Sequence, residues 1–466
     1  MRLTGLLICA VVALQAANVI AAEAVTDGAA AVATDAAQTA TTVVSAATDA
    51  VAAGEPARLT DAADGVTINE IHVEFTGNGY GRNPRVIRRG LDISVGAVLH
   101  PDELWRRVQR IRNLEIYSSV TVETSEAPSG VSLTISLGDR WSINPIIRPF
   151  FGGKQFLLEI GVRDSNLAGT HLNVAGWVGP YISEASKGVV GGAELHDPAF
   201  LRNSDLYVRA QRRFWTDPWY TARHPQTTVE ADSVATDIEL RLTLSDIVQP
   251  LLLLGWERRM YSWLGATSAV VPGIDMRRSN DIRSGIGLRV GIVDYLDYRY
   301  RGLDGEVRAW HSFRTRGGDD FWGGSFNGRL FLLPHPKINL AFRAHVDIQG
   351  TTRRLDDFGY DGLMTMRGYP NRFLRGSKGL YANHEVRFTL AENLFDRFYL
   401  ASALFYDYGW VGTYRKGWRE FGHAAGVGFR AALTRMIGMY LRIDVAQPLR
   451  WAKLGPDISV SVAELF

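Results

Sequence analysis

The sequence predicts a mainly β protein: an antiparallel transmembrane β-barrel of about 16 strands that follows one small N-terminal β-α-α-β-β domain. Three observations support this prediction. Apolar and polar residues alternate along most of residues 140–466. The 47 Gly, 12 Trp, 17 Tyr and 20 Phe suit many tight turns and aromatic girdles. Beyond the N-terminus, no segment has the roughly 20 consecutive apolar residues that a membrane-spanning helix needs.

Composition excludes several classes of function. The 51 Lys and Arg nearly balance the 49 Asp and Glu, so no basic surplus is available to neutralise a phosphate backbone, and nucleic acid is not expected as a partner. No Gly-x-Ser-x-Gly, His-Glu-x-x-His or Gly-Lys phosphate loop occurs, and the 10 His have no ligand spacing. We therefore expect no enzyme activity, no metal site and no cofactor.

The first 65 residues contain two segments outside the folded domains. Arg2 precedes the apolar run Leu3–Ala17 and small residues up to Ala22, the pattern of a secretory signal peptide over residues 1–22, with Ala24 as an alternative cleavage position. Residues 23–65 are rich in Ala and Thr and lack aromatic residues, which predicts a disordered tether. The only cysteine, Cys9, lies in the signal, so the mature chain would contain no thiol.

Residues 66–139 have the pattern of a small α+β domain. The sequence predicts a strand from Ile68, helices over Pro84–Leu91 and from Pro101, and strands over Ser119–Thr124 and Val131–Leu137. The second helix has apolar residues at three- and four-residue spacing, as one buried face requires: Leu104, Val108, Ile111 and Leu114. A three-stranded sheet has an exposed edge that can accept a strand from another chain, and we expect Val131–Leu137 to be that edge.

Residues 140–466 read as barrel strands. In Ile338–Gln349 apolar residues alternate with Asn, Arg, His, Asp and Gln, and Ile282–Ile292 and Ile437–Ala446 show the same alternation. A strand of this kind faces lipid on one side and water on the other. Because unpaired backbone groups are not tolerated in lipid, such strands must close into a barrel.

The predicted turns give the barrel a direction across the membrane. Short turns are expected at residues 164–169, 197–203 and 334–336, and long loops at 215–234, 264–281 and 350–379. In such barrels the short turns face the periplasm and the long loops face outward. An even number of strands returns both ends to the periplasmic side, where the small domain must then lie.

Several phrases of the sequence resemble a known family. Three of them are similar to the POTRA domain, the periplasmic polypeptide-binding module of outer-membrane assembly barrels: Val73-x-Phe75-x-Gly77-Asn78, Gly96-x-Val98-Leu99 and Leu114-x-x-Tyr117-x-x-Val120. On the predicted sixth outward loop, Met366-Arg367-Gly368-Tyr369 resembles the Arg-Gly-aromatic motif that BamA/TamA-type barrels fold back into the lumen. Further matches are Asp164-Ser165-Asn166-Leu167-x-Gly169-Thr170, Phe405-x-Asp407-x-Gly409, Gly426-x-Gly428-x-Arg430 and the terminal Phe466.

The resemblance covers residues 66–466 and implies a location and a function. It implies a bacterial outer-membrane protein with its small domain in the periplasm, which inserts or translocates polypeptides. The implied partners are unfolded outer-membrane or secreted polypeptides and the lipid bilayer, with periplasmic chaperones and accessory lipoproteins as further candidates. A two-partner-secretion-type transporter and a passive porin-like channel are the alternatives.

The resemblance also implies partners for the loop arginine. Strand parity places Glu385 and Asp407 on the inner face, and these positions match the family's carboxylates that receive the loop Arg. A planar guanidinium suits binding by two carboxylates. The alternative is that Glu385 and Asp407 are ordinary polar residues of the lumen.

The seam between the first and last strands is the second candidate site. Pro145 and Pro149 fall in the first strand and lack an N–H, so this strand cannot donate a full set of hydrogen bonds. A weak seam would let the barrel open sideways toward a client strand, and a cysteine pair near Ile147 and Val460 would test this. The alternative is that both prolines lie just outside the spanning region.

Overall fold

The computed structural model describes residues 65–76 and 93–462 apart from short internal gaps. These gaps are residues 114–116, 128–129, 140–141, 153, 202–203, 222–223, 246, 265–275, 297, 352, 354, 356, 361–364, 371, 396, 414–416, 434–439 and 452–453. The predicted signal peptide, residues 23–64 of the tether, the predicted helix Pro84–Leu91 and Phe466 lie outside the described residues.

The N-terminal unit is a three-stranded sheet packed on a helix. It contains β1 (Ile68–Thr76), α1 (Pro101–Arg112), β2 (Tyr117–Ala127) and β3 (Gly130–Asp139). The predicted second helix is thus present, and Leu104, Val108 and Ile111 of its apolar stripe are buried because they share a core with alternate residues of β3. Leu114 of the predicted stripe lies outside the described residues. The members of this core include Leu104, Val108, Ile111, Leu133, Ile135 and Leu137.

The predicted edge strand of this sheet is wrong. The strand order is β1-β3-β2, with β1 parallel and β2 antiparallel to β3, so Val131–Leu137 lies in the central strand. The true edges are β1 and β2. The start of β1 is already paired, because the amide of Ile68 donates to Ala97 O at 2.9 Å and that of Leu99 to Val66 O at 2.7 Å. Over the described residues β2 therefore offers the longer open edge.

The rest of the described chain forms a closed barrel of sixteen antiparallel strands, as the alternation predicts. The barrel strands are β4 (Ile143–Gly152), β5 (Gln155–Asp164), β6 (Asn173–Ser183), β7 (Lys187–Leu201), β8 (Ser204–Thr221), β9 (His224–Leu242), β10 (Val248–Leu264), β11 (Ser279–Leu296), β12 (Arg299–Arg316), β13 (Phe321–His335), β14 (Ile338–Gln349), β17 (Lys378–Leu394), β18 (Phe398–Thr413), β19 (Gly417–Leu433), β20 (Tyr440–Pro448) and β21 (Asp457–Val462). The short hairpin β15 (Phe358–Tyr360) and β16 (Leu374–Gly376) belongs to the loop between β14 and β17.

The two faces of the barrel differ in polarity, as a membrane barrel requires. Large apolar side chains stay exposed on the outer face, with Val178, Ile286 and Leu404 each more than half exposed. Polar and charged side chains such as Asn339 and Asp304 are buried on the inner face. An apolar outer belt around a polar interior is the arrangement of transmembrane β-barrels. Among the described residues, no helix has both the length and the apolar character to cross a membrane.

One predicted loop is largely strand. Residues 215–234 belong mostly to β8 and β9, which continue as a paired hairpin up to Thr221 and His224. Its Pro, His and Gln residues have the composition of a loop, and this misled the prediction. A hairpin that extends beyond the lipid belt does not need apolar alternation, so the sequence pattern fades while the backbone pairing continues.

The N-terminal unit contacts two turns of the barrel. Asn113, which caps α1, exchanges side-chain hydrogen bonds with the β11–β12 turn, accepting from the Tyr295 amide at 3.1 Å and donating to Asp294 Oδ1 at 3.1 Å. At the β5–β6 turn, the rings of Tyr117 and His171 lie 6.4 Å apart, edge to face. His171 is buried, and burial lowers its pKa to about 4.

Candidate functional site

The loop between β14 and β17 folds back into the barrel. Met366, Arg367 and Tyr369 have no exposed surface, although the loop joins two strands on the rim. The loop core also contains Tyr360 and Leu374 and packs on Tyr381, Val411 and Ala424 of the barrel wall. The sixth outward loop thus fills the lumen beside β17–β19.

Arg367 is bound by three carboxylates. Asp407 on β18 holds it with both oxygens, at 2.7 Å from Nε and 2.7 Å from Nη2. Glu385 on β17 lies 3.0 Å from Nη1, and Asp444 on β20 lies 3.3 Å from the same nitrogen. The backbone amide of Arg367 also donates to Asp407, at 3.2 Å. The guanidinium therefore joins three strands of the barrel wall to the loop.

Three further arginines share these carboxylates. Arg430 on β19 lies 2.6 Å from Asp444 and 2.9 Å from Glu385, and Arg387 donates to Glu385 at 2.9 Å. Arg442 lies 3.3 Å from Asp444. All of these side chains are almost fully buried. We call this set the arginine cluster: Arg367, Glu385, Arg387, Asp407, Arg430, Arg442 and Asp444. Charged groups out of water are stable only when they are paired in this way.

The residues around Arg367 fix its position. Its Cζ lies 3.5 Å from the centre of the Phe405 ring, a close cation–π contact. Gly368 has φ +88°, and an added Cβ would lie 3.2 Å from both Ala446 and Pro448, so only glycine fits without strain. Tyr369 donates to His423 O at 2.9 Å and accepts from the His423 amide at 2.8 Å. Each residue of the Arg-Gly-Tyr motif therefore has a separate structural role.

The seam closes the barrel with one recorded pair of residues. Among the described residues, which end at Val462, β4 and β21 are paired where Phe151 lies opposite Val460. On either side of the seam the pairing is far more extensive, with ten pairs between β4 and β5 and six between β20 and β21. Within the described part of the chain, β4–β21 thus has the fewest paired residues of any strand contact in the barrel.

The comparisons with known proteins concern the fold. No protein-family model and no curated protein matches the sequence. BamA from Haemophilus ducreyi lacking POTRA domains 1–3 matches at 11% identity and TM-score 0.51, over 84% of each chain. CdiB from Acinetobacter baumannii matches at 14% identity and TM-score 0.55, and CdiB from Escherichia coli at 12% and 0.59. Both comparisons cover 85% of this chain, and 74% and 76% of the CdiB chains. The chain has the fold of the BamA and CdiB barrels. The predicted resemblance to BamA/TamA-type barrels is confirmed at this level.

The structure of this BamA- and CdiB-like barrel brings the predicted loop residues together. Arg367, Gly368 and Tyr369 lie in the lumen, and Arg367 contacts both Glu385 and Asp407. Pro145 and Pro149 lie within β4, opposite Val162 and Leu158 of β5. The predicted position of the seam lock was wrong in register, because Val460 lies opposite Phe151 and not Ile147.

The sequence analysis missed the wider charge network. Strand parity in Ile437–Ala446 puts Arg442 and Asp444 on the inner face, and Arg430 is part of a matched phrase, but the sequence does not predict that any of the three contacts the loop. Parity shows which residues face the lumen but not which of them meet across it. The available signal was an inner-face charge on each strand from β17 to β20.

Proposed function

We propose that this chain inserts or translocates polypeptides at the outer membrane of a bacterium, with the N-terminal unit as a POTRA-like domain in the periplasm and without chemistry, cofactor or metal. A client strand would bind the open edge of β2 and pass to the seam between β4 and β21. The weak seam carries this proposal.

The seam supports lateral opening because the described residues of β4 and β21 form one backbone pair. A strand edge with unpaired N–H and C=O groups accepts another strand readily, and a passive pore gains nothing from such an edge. Pro145 and Pro149 lack N–H groups inside β4, which limits how far this strand can pair. The adjacent arginine cluster holds β17–β20 to the loop, so that opening would be confined to the seam.

One alternative function has specific support, and the other is disfavoured. The similarity to the two CdiB structures is compatible with a two-partner-secretion-type transporter, which would export one dedicated partner. A passive porin-like channel would need an open lumen, and the inward-folded loop occupies part of it. We therefore prefer insertion or translocation to the porin.

A disulfide across the seam tests the proposal. Cys9 is the only cysteine of the sequence, so a Phe151→Cys/Val460→Cys pair can form one defined bond. The readout is insertion of a small outer-membrane barrel protein into liposomes that contain the purified chain. We expect the oxidised pair to be inactive and reduction to restore activity.

The matched control is a Val445→Cys/Ile458→Cys pair, because these two residues lie opposite each other on the neighbouring β20–β21 contact and face outward. This pair should remain active when oxidised. Full activity of the oxidised seam pair would refute lateral opening.

The client can be identified by crosslinking from the edge of β2. Glu123 is exposed on β2, and Thr134 lies opposite it on the central strand β3 and serves as the control position. A photoreactive residue at 123 should capture unfolded outer-membrane proteins in envelopes, and one at 134 should capture far less. Capture of one dedicated exoprotein would favour the transporter, and no capture at 123 would favour the porin.

A further inference from the structure

Two cavities that share lining residues lie along the barrel wall. The larger, of about 620 Å³, lies against β8–β13, and the smaller, of about 340 Å³, lies between the wall and the inward-folded loop. Loop residues Phe358, Tyr360 and Arg372 line the smaller cavity. Arg213 and Arg283 line both cavities and therefore mark their junction.

The larger cavity has more guanidinium groups than carboxylates on its wall. Its arginines are Arg209, Arg213, Arg241, Arg283 and Arg308, whereas Asp237 and Glu239 are its acids. Most of these arginines are well paired: Arg209 lies 2.8 Å from Glu194, Arg241 lies 2.5 Å from Glu239, and Arg308 lies 2.9 Å from Glu239. Carboxylates of the barrel wall therefore neutralise the positive charges of these three arginines.

The two arginines at the junction are different. Among the residues that the structure describes, Arg213 has no hydrogen bond or ion pair, and its side chain is accessible from the lumen. The carboxylates that act on it electrostatically, Glu257 and Asp237, are already bound to Arg259 and Arg283. The junction thus holds a positive charge that the wall does not neutralise.

Arg283 adds unused donor capacity. Its ion pairs are long, 3.3 Å to Asp237 and 3.4 Å to Glu257, and its Nε is buried without a hydrogen-bond partner. Gly255 keeps this space open, because a Cβ there would lie 2.9 Å from Asp237 and 3.6 Å from the Arg283 Nε. Arg283 is therefore less closely paired than Arg209, Arg241 and Arg308.

We propose that the junction of the two cavities, at Arg213 and Arg283, binds the carboxylates of an acidic segment of a polypeptide inside the lumen. Guanidinium groups match carboxylates in geometry, and a partly water-excluded cavity strengthens the interaction. Wall aromatics such as Tyr207 and Trp310 would contact the rest of the segment. This inference rests on the proposed function, because it assumes that polypeptides enter the lumen.

The test uses a rhodamine-labelled decaglutamate peptide and the purified full chain in a neutral detergent, with fluorescence anisotropy as the readout. We expect salt-sensitive binding that unlabelled decaglutamate displaces and decaglutamine does not. Arg213→Gln should weaken binding about tenfold, the size expected for one charge-assisted hydrogen bond. Arg212→Gln is the matched control, because Arg212 is the next residue on the same strand and binds Asp232 on the outer face at 2.8 Å.

The possible outcomes distinguish a failure of the proposed binding site from a failure of the proposed function. Equal affinity of Arg213→Gln and Arg212→Gln overturns the site. Displacement of the peptide by low-millimolar inorganic phosphate but not by glutarate assigns the junction to phosphate and overturns the polypeptide ligand. If the peptide binds as expected while a photoreactive residue at Glu123 captures no client, the proposed function fails and the anion site remains. Both variants should show wild-type heat-modifiable mobility, which establishes that they are folded.

Discussion

The arginine cluster and the seam lie side by side in the barrel and are held in opposite ways. Glu385, Asp407, Arg430 and Asp444 place at least one cluster member on each of β17, β18, β19 and β20, and the loop joins them through Arg367. β21, the next strand, contributes no member among the described residues and meets β4 at one residue pair. Within the described residues, buried ion pairs therefore join the strands up to β20, whereas one backbone pair joins β21 to β4.

This contrast teaches where a barrel can open without losing its shape. Buried ion pairs add little stability overall, but removing one partner is costly, so they fix one arrangement of the strands around them. A seam with few hydrogen bonds has no such constraint. The cluster gives the wall a fixed border, and under the proposed function the seam beyond this border would separate. Four predictions test the contrast, in order of decreasing effect.

Removal of the loop guanidinium should have the largest effect. Arg367→Ala leaves Glu385 and Asp407 buried without their main partner, at a cost of about 3–5 kcal/mol. We expect the folded, heat-modifiable band to be lost on gels. Arg367→Lys keeps the positive charge but lacks the planar guanidinium, so we expect an intermediate amount of the folded band. Arg212→Ala, on the outer face, is the control, and wild-type levels of folded Arg367→Ala would contradict the role of the cluster.

A methyl group at Gly368 should weaken the cluster without removing charge. Gly368→Ala places a Cβ at φ +88° and 3.2 Å from Ala446 and Pro448, at a cost of about 1–3 kcal/mol. The expected result is a lower temperature at which the folded band disappears, with some folded barrel remaining. Gly305→Ala offers a comparison, because its nearest contact would be 3.4 Å from Phe326. Equal stability of the two variants would show that loop backbone geometry is unimportant.

Acid should act on the seam side of the barrel through His171. This residue lies on the β5–β6 turn against Tyr117, and its pKa is lowered to about 4 from an ordinary value near 6.5. The unfolded or undocked state binds the proton more tightly, so the stabilisation is complete above pH 6.5 and is lost as the pH falls toward 4. At pH 5 the loss is about 2 kcal/mol.

Protease cleavage between the N-terminal unit and the barrel is the measurement for this prediction, and cleavage should increase from pH 7 to pH 5. His171→Phe removes the titrating group and should abolish the pH dependence. If the variant keeps the same pH dependence, a different group is responsible.

Hydrogen exchange should show the contrast directly. Backbone amides of β21 and β4 should exchange faster than those of β18 and β19, because a strand contact with fewer hydrogen bonds opens more often. Arg367→Lys should raise exchange in β18 and leave β21 almost unchanged. Uniform exchange around the barrel would mean that the seam is better closed than its single pair indicates.

The sequence predicts the barrel well because its pattern is local. Alternation in stretches such as Ile338–Gln349 depends only on lipid outside and water inside, and this gives the strand count and the inner-face position of Glu385 and Asp407. Which strands become neighbours in space is not a local property of the sequence. Val131–Leu137 alternates regularly, yet it is the central strand, because the parallel pairing of β1 with β3 is determined by the crossover and not by any strand's own residues.

The same limit applies to the site. The contact between Asp444 and Arg367 depends on how far the loop extends into the lumen and on the curvature of the barrel wall. The residues of β20 alone determine neither of these. The sequence also does not predict that Arg213 has no ion-pair partner among the described residues. The adjacent Arg212 is the same residue type, and it is paired with Asp232. The Phe151–Val460 register depends on the shear of the closed barrel, which no single strand determines.

The single pair at the seam also has a consequence for how this chain folds. All other barrel contacts join strands that are neighbours along the chain, apart from the loop between β14 and β17, whereas the seam joins the first and last strands. Contacts between distant parts of a chain form late, because the loop-closure entropy must be overcome first. Barrel closure should therefore be the last folding step. The nearly folded intermediate would have two free strand edges, at β4 and β21. The same open state would be needed for the barrel to accept a strand from another chain.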